Sequence, residues 1–469
     1  MVVAQANSQN EPHANFYGGI WAGLVPLGVF LILVLGLVML GAQTTEGMII
    51  AAMVGISIGL FLARDYSMYC ERVFSLMANR VATVAIVCWL WAGAFAGILG
   101  ASGLVEAIVW IGWTLGLQGS AFVVVTFVCS AAFAVCVGTG LGTVIGFTAV
   151  MYPAGIVLGA DPAVILGAIV SGGAFGDNLA PISDTTIVSA ATQETDVAGV
   201  VRSRLKYVLI CAGLSMICFL LVGGGSTSVI DYDADKIIAE TANPRGLPML
   251  VPPILVFIVA ITGYHFLGAL TVGIISACFI GIVFGIFPAS AIFSVGNGGT
   301  TEGALISGAM GLVPTAVLTL LLVTAIGILS ESGFVDALMK WLDRNIAKTV
   351  RGAEASIVTL ISLTNLAVSV NTVAIITAGP LANELRKRHN IHPYRSANLL
   401  DTVSCSFPYI LPYSAVTLAA IATQQQVQQR YDFVELVSWG NYAPYAFYTV
   451  ILFPIMVLCV ITGFGRKTG

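Results

Sequence analysis

Residues 171–190 read SGGAFGDNLAPISDTTIVSA and hold two aspartates, an asparagine, a proline, three glycines and a run of hydroxyls. Pro181 carries no N–H, so the carbonyl of Asp177, four residues back, loses its helical partner where glycines at 172, 173 and 176 already loosen the backbone. A freed carbonyl, a carboxylate and the Asn178 amide then share one place. These are hard oxygen ligands, suited to Na⁺ or a similar ion rather than to a soft metal. The chemistry recurs farther on, where Pro412 releases the carbonyl of Pro408, and Pro408 that of Ser404. The pattern suggests Na⁺ held by Asp177, Asn178 and Ser404.

The elements that must position these groups are membrane helices. The chain has 469 residues, of which 58% are hydrophobic and 9% charged, against about 25% charged in soluble domains. A polytopic helical membrane protein follows, each span needing ~20 apolar residues. The net charge of −4 gives no reason to expect a nucleic-acid partner. Residues 1–17 lack the basic start, apolar core and cleavage site of a signal peptide and read as a polar tail. The nine cysteines form no CxxC and read as small hydrophobes, and the four histidines are scattered. GTGLGT at 138–143 lies in no strand–helix alternation, so it is a poor nucleotide loop. No nucleophile, base and orienter can be assembled, so the chain does not read as an enzyme, and it implies no cofactor beyond a coupling or transported Na⁺.

A charge at mid-membrane costs ~2.5–3.5 kcal/mol on insertion scales, so Asp177, Asp184 and Asp401 each need a function or a partner. Asp177 is an ion ligand or a cap at the helix break. Asp184 binds the ion or faces the cytoplasmic exit, and Asp401 binds it, pairs with Arg395, itself a loop anchor, or makes a purely structural polar contact. Glu194, Asp196, Arg202 and Arg204 read as a solvated cytoplasmic face, and Glu106 and Asp336 as helix-start charges.

The chain also repeats itself. GILGASGLVEAI at 97–108 matches GILSESGFVDAL at 327–338, and FAVCVGTGLGT at 133–143 parallels LAVSVNTVAII at 366–376. Pro162 then falls on Pro393, Pro181 on Pro412, Ser183 on Ser414 and Thr186 on Thr417. Short cytoplasmic loops collect Lys and Arg. Residues 151–162 carry none, while their partner carries Arg386, Lys387, Arg388 and Arg395; the other equivalent loops are opposed in the same way. The halves therefore read as inverted.

This gives a polar tail at 1–17, a first repeat at 18–224, an extracytoplasmic linker at 225–247, a second repeat at 248–463 and a cytoplasmic tail at 464–469. The repeats contain scaffold helices at 18–101 and 248–330, re-entrant hairpins at 120–159 and 354–385, and broken helices at 162–190 and 396–423. About ten transmembrane helices result, with both termini cytoplasmic. The hairpins turn near Gly138–Thr143 and near Asn371 and Thr372, from opposite faces. Non-helical backbone at that depth must be buried in protein or line a cavity, so the tips bring Thr139, Asn371 and Thr372 to a central site.

GAFGDNLAPISDTTIVSAATQ resembles the signature of the NhaC-type sodium/proton antiporters, within the ion transporter superfamily. In the second half that family often has a Glu-Asp-Ser-Gly-Thr run and a later Pro-Trp-Asn; this chain has Leu400, Asp401, Thr402, Val403, Ser404 and then Pro412, Tyr413, Ser414. The resemblance implies an elevator-type fold, with two hairpins and two broken helices in a mobile domain beside a dimerising scaffold, in a bacterial-type cytoplasmic membrane. It implies Na⁺/H⁺ exchange, with Na⁺ or H⁺ coupled to a small organic solute such as an amino acid or carboxylate as the alternative. Ser183, Ser404, Pro408, Pro412, Tyr413 and Ser414 are the candidates for contacting such a solute. Two inverted halves with a blocked middle argue against an open channel.

Overall fold

The computed structural model describes residues 16–39, 45–78, 80–181, 183–224, 242–261, 266–296, 299–334, 337, 341 and 345–466. The linker expected at 225–247 lies mostly outside them, as do Asp336 and most of the polar tail. The described chain is helical apart from connections, 3₁₀ turns and one two-stranded antiparallel ribbon, Ser294–Val295 with Thr301–Glu302. Its principal helices are α1 (Val25–Met39), α2 (Thr45–Leu62), α3 (Tyr66–Met77), α4 (Arg80–Gly100), α5 (Leu104–Thr114), α6 (Ser120–Val137), α7 (Gly140–Val157), α8 (Pro162–Leu179), α9 (Asp184–Thr192) and α10 (Val197–Val222). There follow α11 (Val251–Ile261), α12 (Phe266–Val283), α13 (Ala304–Gly311), α14 (Val313–Glu331), α15 (Val350–Val368), α16 (Asn371–Arg388), α17 (Pro393–Ser404), α18 (Ala415–Gln428) and α19 (Phe447–Thr462).

Among the described residues five helical stretches are long and apolar enough to cross a membrane, or up to seven if each of two bent pairs counts as one span. The bent pairs turn by 63° between Gly100 and Leu104 and by 58° between Tyr445 and Phe447. The chain is a multi-pass membrane protein.

It divides into two compact units, Met1–Ile86 with Pro314–Asn345, and Val87–Val313 with Ile346–Gly469. In the first, α1 packs on α2, the Tyr69 hydroxyl donates to the Ile56 carbonyl at 2.8 Å, and Arg72 pairs with Glu331, its Nε 3.0 Å from Oε2.

The second unit carries the helices flagged by the repeat. Gly140 and Asn371, Pro162 and Pro393, and Asp184 and Ala415 open corresponding helices, each pair 231 residues apart. α8 starts cleanly because Asp161 caps it, accepting from the amides of Ala163 (2.9 Å) and Val164 (3.1 Å), with Pro162 in the first turn, where a missing N–H costs nothing. It ends because the residue before a proline is pushed out of the helical region: Ala180 is extended, at φ −64°, ψ 125°. α6 stops at Gly138, whose φ of 73° suits glycine, whereas α15 stops at Ser369, held at φ 48° without that freedom. The helices flanking these turns pack on each other and on α8 or α17, and α9 packs on both α16 and α17.

Candidate functional site

Asp177 lies two residues before the end of α8, half-buried. Three neutral side chains donate to its carboxylate: Ser183 to Oδ1 at 2.8 Å, and Asn371 and Tyr409 to Oδ2 at 3.0 Å each. Each donor comes from an interruption in a helix. Ser183 occupies the N-cap position of α9 but makes no capping bond; its hydroxyl is turned onto Asp177, and it also lies 3.0 Å from Thr185 Oγ1. Asn371 is the first residue of α16, next to the strained Ser369. Tyr409 belongs to the irregular stretch between α17 and α18, and Gly140, at the other helical turn, lies so close to its hydroxyl that a Cβ there would collide with it. Among the described residues, the Asp177 carbonyl freed by Pro181 receives a long contact from Thr185 Oγ1, at 3.5 Å. Carboxylate oxygens, a loosely held carbonyl, two hydroxyls and a phenol therefore converge, with no cationic group within ion-pair distance of Asp177 among the described residues. A monovalent cation or a proton would complete that set.

The second-half acid stands differently. Asp401 is fully buried, with Arg204 Nη2 2.5 Å from Oδ2, Ser189 Oγ at 3.3 Å and Cys405 Sγ 3.4 Å from Oδ1. Arg204 also donates through Nε to Asn398 Oδ1 at 3.0 Å, and through Nη1 to Thr186 Oγ1 at 3.1 Å and to the Asn178 carbonyl. Two readings of the sequence are corrected here. Arg204 is no part of a solvated face, because α10 buries it beside Val200, Tyr207, Val208 and Cys211. Arg395 does not pair with Asp401; it pairs with buried Glu354 (Nε to Oε1, 3.0 Å), which Arg466 also reaches at 2.7 Å. Arg202, by contrast, is exposed, and Glu194 is met at the surface by Lys387 (2.7 Å), Asn383 (2.9 Å) and Arg386 (3.3 Å).

The other expected residues are dispersed. Asn178 points away from the carboxylate and donates to the Tyr448 hydroxyl at 2.9 Å. Asp184 is exposed at the start of α9. Thr139 stands at the first turn, its carbonyl accepting from Thr143 Oγ1 at 2.9 Å, and Thr372 is half-buried beside Asn371. Ser404 exchanges hydrogen bonds with Asn365 at 3.1–3.2 Å, and Tyr413 donates to the Leu366 carbonyl. The Pro408 carbonyl freed by Pro412 is taken by the hydroxyl of Ser414, and Pro412 is half-buried. Of the candidates, the structure joins Asp177, Ser183 and Asn371. Tyr409, Thr185 and Arg204 were missed, although the helical period of α10 places Arg204 one turn from Val200 and one from Val208, on its buried stripe.

Residues 15–224 match the Na⁺/H⁺ antiporter family, a stretch that includes Asp177, Ser183 and Arg204. The Na⁺/H⁺ antiporter NhaC of Alkalihalophilus pseudofirmus is 23% identical over 337 residues, 68% of this chain and 69% of that one. This chain is related to the NhaC-type Na⁺/H⁺ antiporters. The resemblance read from GAFGDNLAPISDTTIVSAATQ is thus borne out. Other relatives carry different names: a malate-2H⁺/Na⁺-lactate antiporter of Bacillus subtilis is 27% identical over 283 residues, 59% of each chain, and the arginine/ornithine antiporter ArcD of Halobacterium salinarum is 26% identical over 322 residues, 66% of this chain and 63% of that one. The chain thus spans less than two thirds of the length of these last two. Asn371, Asp401 and Tyr409 lie beyond the stretch that matches the family.

Proposed function

We propose that this chain is a Na⁺-coupled secondary transporter that exchanges Na⁺ for H⁺ across the cytoplasmic membrane, with Asp177 binding either ion in turn. The observation that carries this is a carboxylate held, among the described residues, by neutral donors alone, where helix interruptions from both halves of the chain meet. One carboxylate that takes either ion gives exchange by competition, since each must leave before the other binds. The constant 231-residue spacing of helix starts supports two repeats, and the opposed Lys and Arg content of their loops supports inversion, with hairpins at 120–159 and 354–385 and broken helices at 162–190 and 396–423 as one mobile body. The mutual packing of these helices suits an elevator-type movement. In this reading the scaffold helices at 18–101 and 248–330 carry a homodimer contact, and both termini face the cytoplasm.

A second reading, Na⁺- or H⁺-driven movement of a small organic solute, is favoured by relatives named for malate, lactate, arginine and ornithine. Purified protein in liposomes distinguishes the two. An imposed Na⁺ gradient should move protons without any added solute, and Asp177→Asn should abolish this while inserting normally. Proton movement that appears only with one member of a labelled amino-acid and carboxylate panel would replace exchange with the solute reading.

A further inference from the structure

The acids on α6–α9 and α15–α18 are Asp177, Asp184, Glu354, Glu384 and Asp401. Asp184 and Glu384 are exposed, so water screens them, and Glu384 also pairs with Arg388 at 2.6 Å. Glu354 is buried against Arg395 and Arg466, and Asp401 against Arg204. Only Asp177 combines an interior position with the lack of a basic partner among the described residues. Arg204 belongs to α10 yet reaches the end of α8 at the Asn178 carbonyl, α9 at Thr186, and α17 at Asn398 and Asp401. A guanidinium does not deprotonate in a protein, so this positive charge stays wherever the broken helices go.

We infer that Arg204 is a built-in counter-ion that withdraws Asp401 from the exchange, so that each turnover carries one Na⁺ against one H⁺ and moves no net charge. This rests on the Na⁺/H⁺ reading above. The charge count is direct. With Asp401 neutralised by Arg204, the site bears one negative charge, and one Na⁺ or one H⁺ cancels it, so the loaded body is neutral in both directions. Were Asp401 free to load as well, two protons against one Na⁺ would move one positive charge per cycle. Arg204 is thus a positioning residue: it sets the number of ions without touching them.

The test is the reversal point of proton flux in proteoliposomes of the full chain, at fixed pH difference and with voltage clamped by K⁺ and valinomycin. Reversal is expected where the Na⁺ ratio equals the H⁺ ratio, unmoved by 100 mV of either sign. A two-for-one exchange would shift the balancing Na⁺ ratio about fifty-fold over ~100 mV and overturn the inference while leaving exchange itself standing. Absence of any Na⁺-driven proton flux would remove the underlying reading, and this inference with it. Arg204→Gln should make the reversal point voltage-dependent by freeing Asp401. Should that variant fail to fold, Arg204→Gln with Asp401→Asn, which leaves the net charge unchanged, should fold and keep a voltage-independent reversal point. Voltage dependence in this double variant would assign the counting to other groups and sink the proposal.

Discussion

The two helix breaks begin with the same ingredients and end in opposite states. Between α8 and α9 four residues intervene, and between α17 and α18 ten, each break ending in a serine at the N-cap position: Ser183 and Ser414. Ser414 caps, accepting from the Thr417 amide at 3.1 Å while its hydroxyl also satisfies the Pro408 carbonyl. Ser183 leaves its helix uncapped and donates to Asp177. The acid near each break follows suit, Asp401 being matched to Arg204 and Asp177, among the described residues, to neutral donors. One break is closed by its own chain and lends Tyr409 outward; the other turns its serine onto the acid and leaves the Asp177 carbonyl loosely held. Repetition of sequence can therefore leave one acid held by neutral donors and the other paired with a cation, the difference lying in which partner each polar group finds.

The largest expected effect comes from undoing the Arg204–Asp401 pair. Arg204→Gln leaves a buried carboxylate unpaired, at a cost of about 3–5 kcal/mol, and deprives Asn178, Thr186 and Asn398 of a donor. Thermal unfolding in detergent should show a large drop, most of it restored by adding Asp401→Asn. A drop that the second substitution does not relieve would mean that Arg204 stabilises through something other than Asp401.

Next comes Tyr409→Phe, which removes one of two donors to Oδ2. A hydrogen bond to a charged group contributes about 1.5–3 kcal/mol, so apparent Na⁺ affinity should fall roughly tenfold or more with folding intact. Unchanged affinity would detach the second break from the site.

The serine pair sharpens the contrast at smaller scale. Ser183→Ala should weaken Na⁺ affinity several-fold with little change in stability, since it removes no cap. Ser414→Ala should do the reverse, losing about 1 kcal/mol of stability through its cap while Na⁺ affinity stays put. Equal effects of the two on affinity would erase the asymmetry.

The smallest effect belongs to the surface. The Lys387 ammonium, then the Asn383 amide, hold the exposed Glu194 carboxyl below its ordinary value. A depressed folded value means the contribution is present above the usual glutamate range near ~4.3 and fades as pH falls through the folded value. Glu194→Gln should slightly flatten the acid side of a melting-temperature profile and leave transport unchanged at neutral pH. A transport defect there would show that this surface contact couples to the site.

Much of the site was legible because its signals are local. Pro181 four residues after Asp177 announces a break, and the match of FAVCVGTGLGT to LAVSVNTVAII sets Asn371 and Thr372 at the second hairpin turn. Tyr409 and Arg204 were not, for a physical reason. A phenol in an apolar stretch looks like core until a carboxylate 232 residues away takes its hydroxyl. Arg204, between Arg202 and Lys206, has the local composition of a cytoplasmic loop, and only its place on the buried stripe of α10 tells it apart. The proline rule correctly identified which carbonyls lose helical partners, but could not say that Ser414 would claim the one at Pro408. Which polar groups remain unclaimed is a property of the packed state.

Equilibrium Na⁺ binding to purified protein, by calorimetry at neutral pH, tests most directly whether the first break is the ion site and the second is not. Wild type should bind saturably. Asp177→Asn should lose that binding while melting normally, and Arg204→Gln with Asp401→Asn should retain it to within a few-fold. Saturable binding that survives Asp177→Asn and disappears with the Arg204 and Asp401 pair would place the ion at the second break and contradict this assignment.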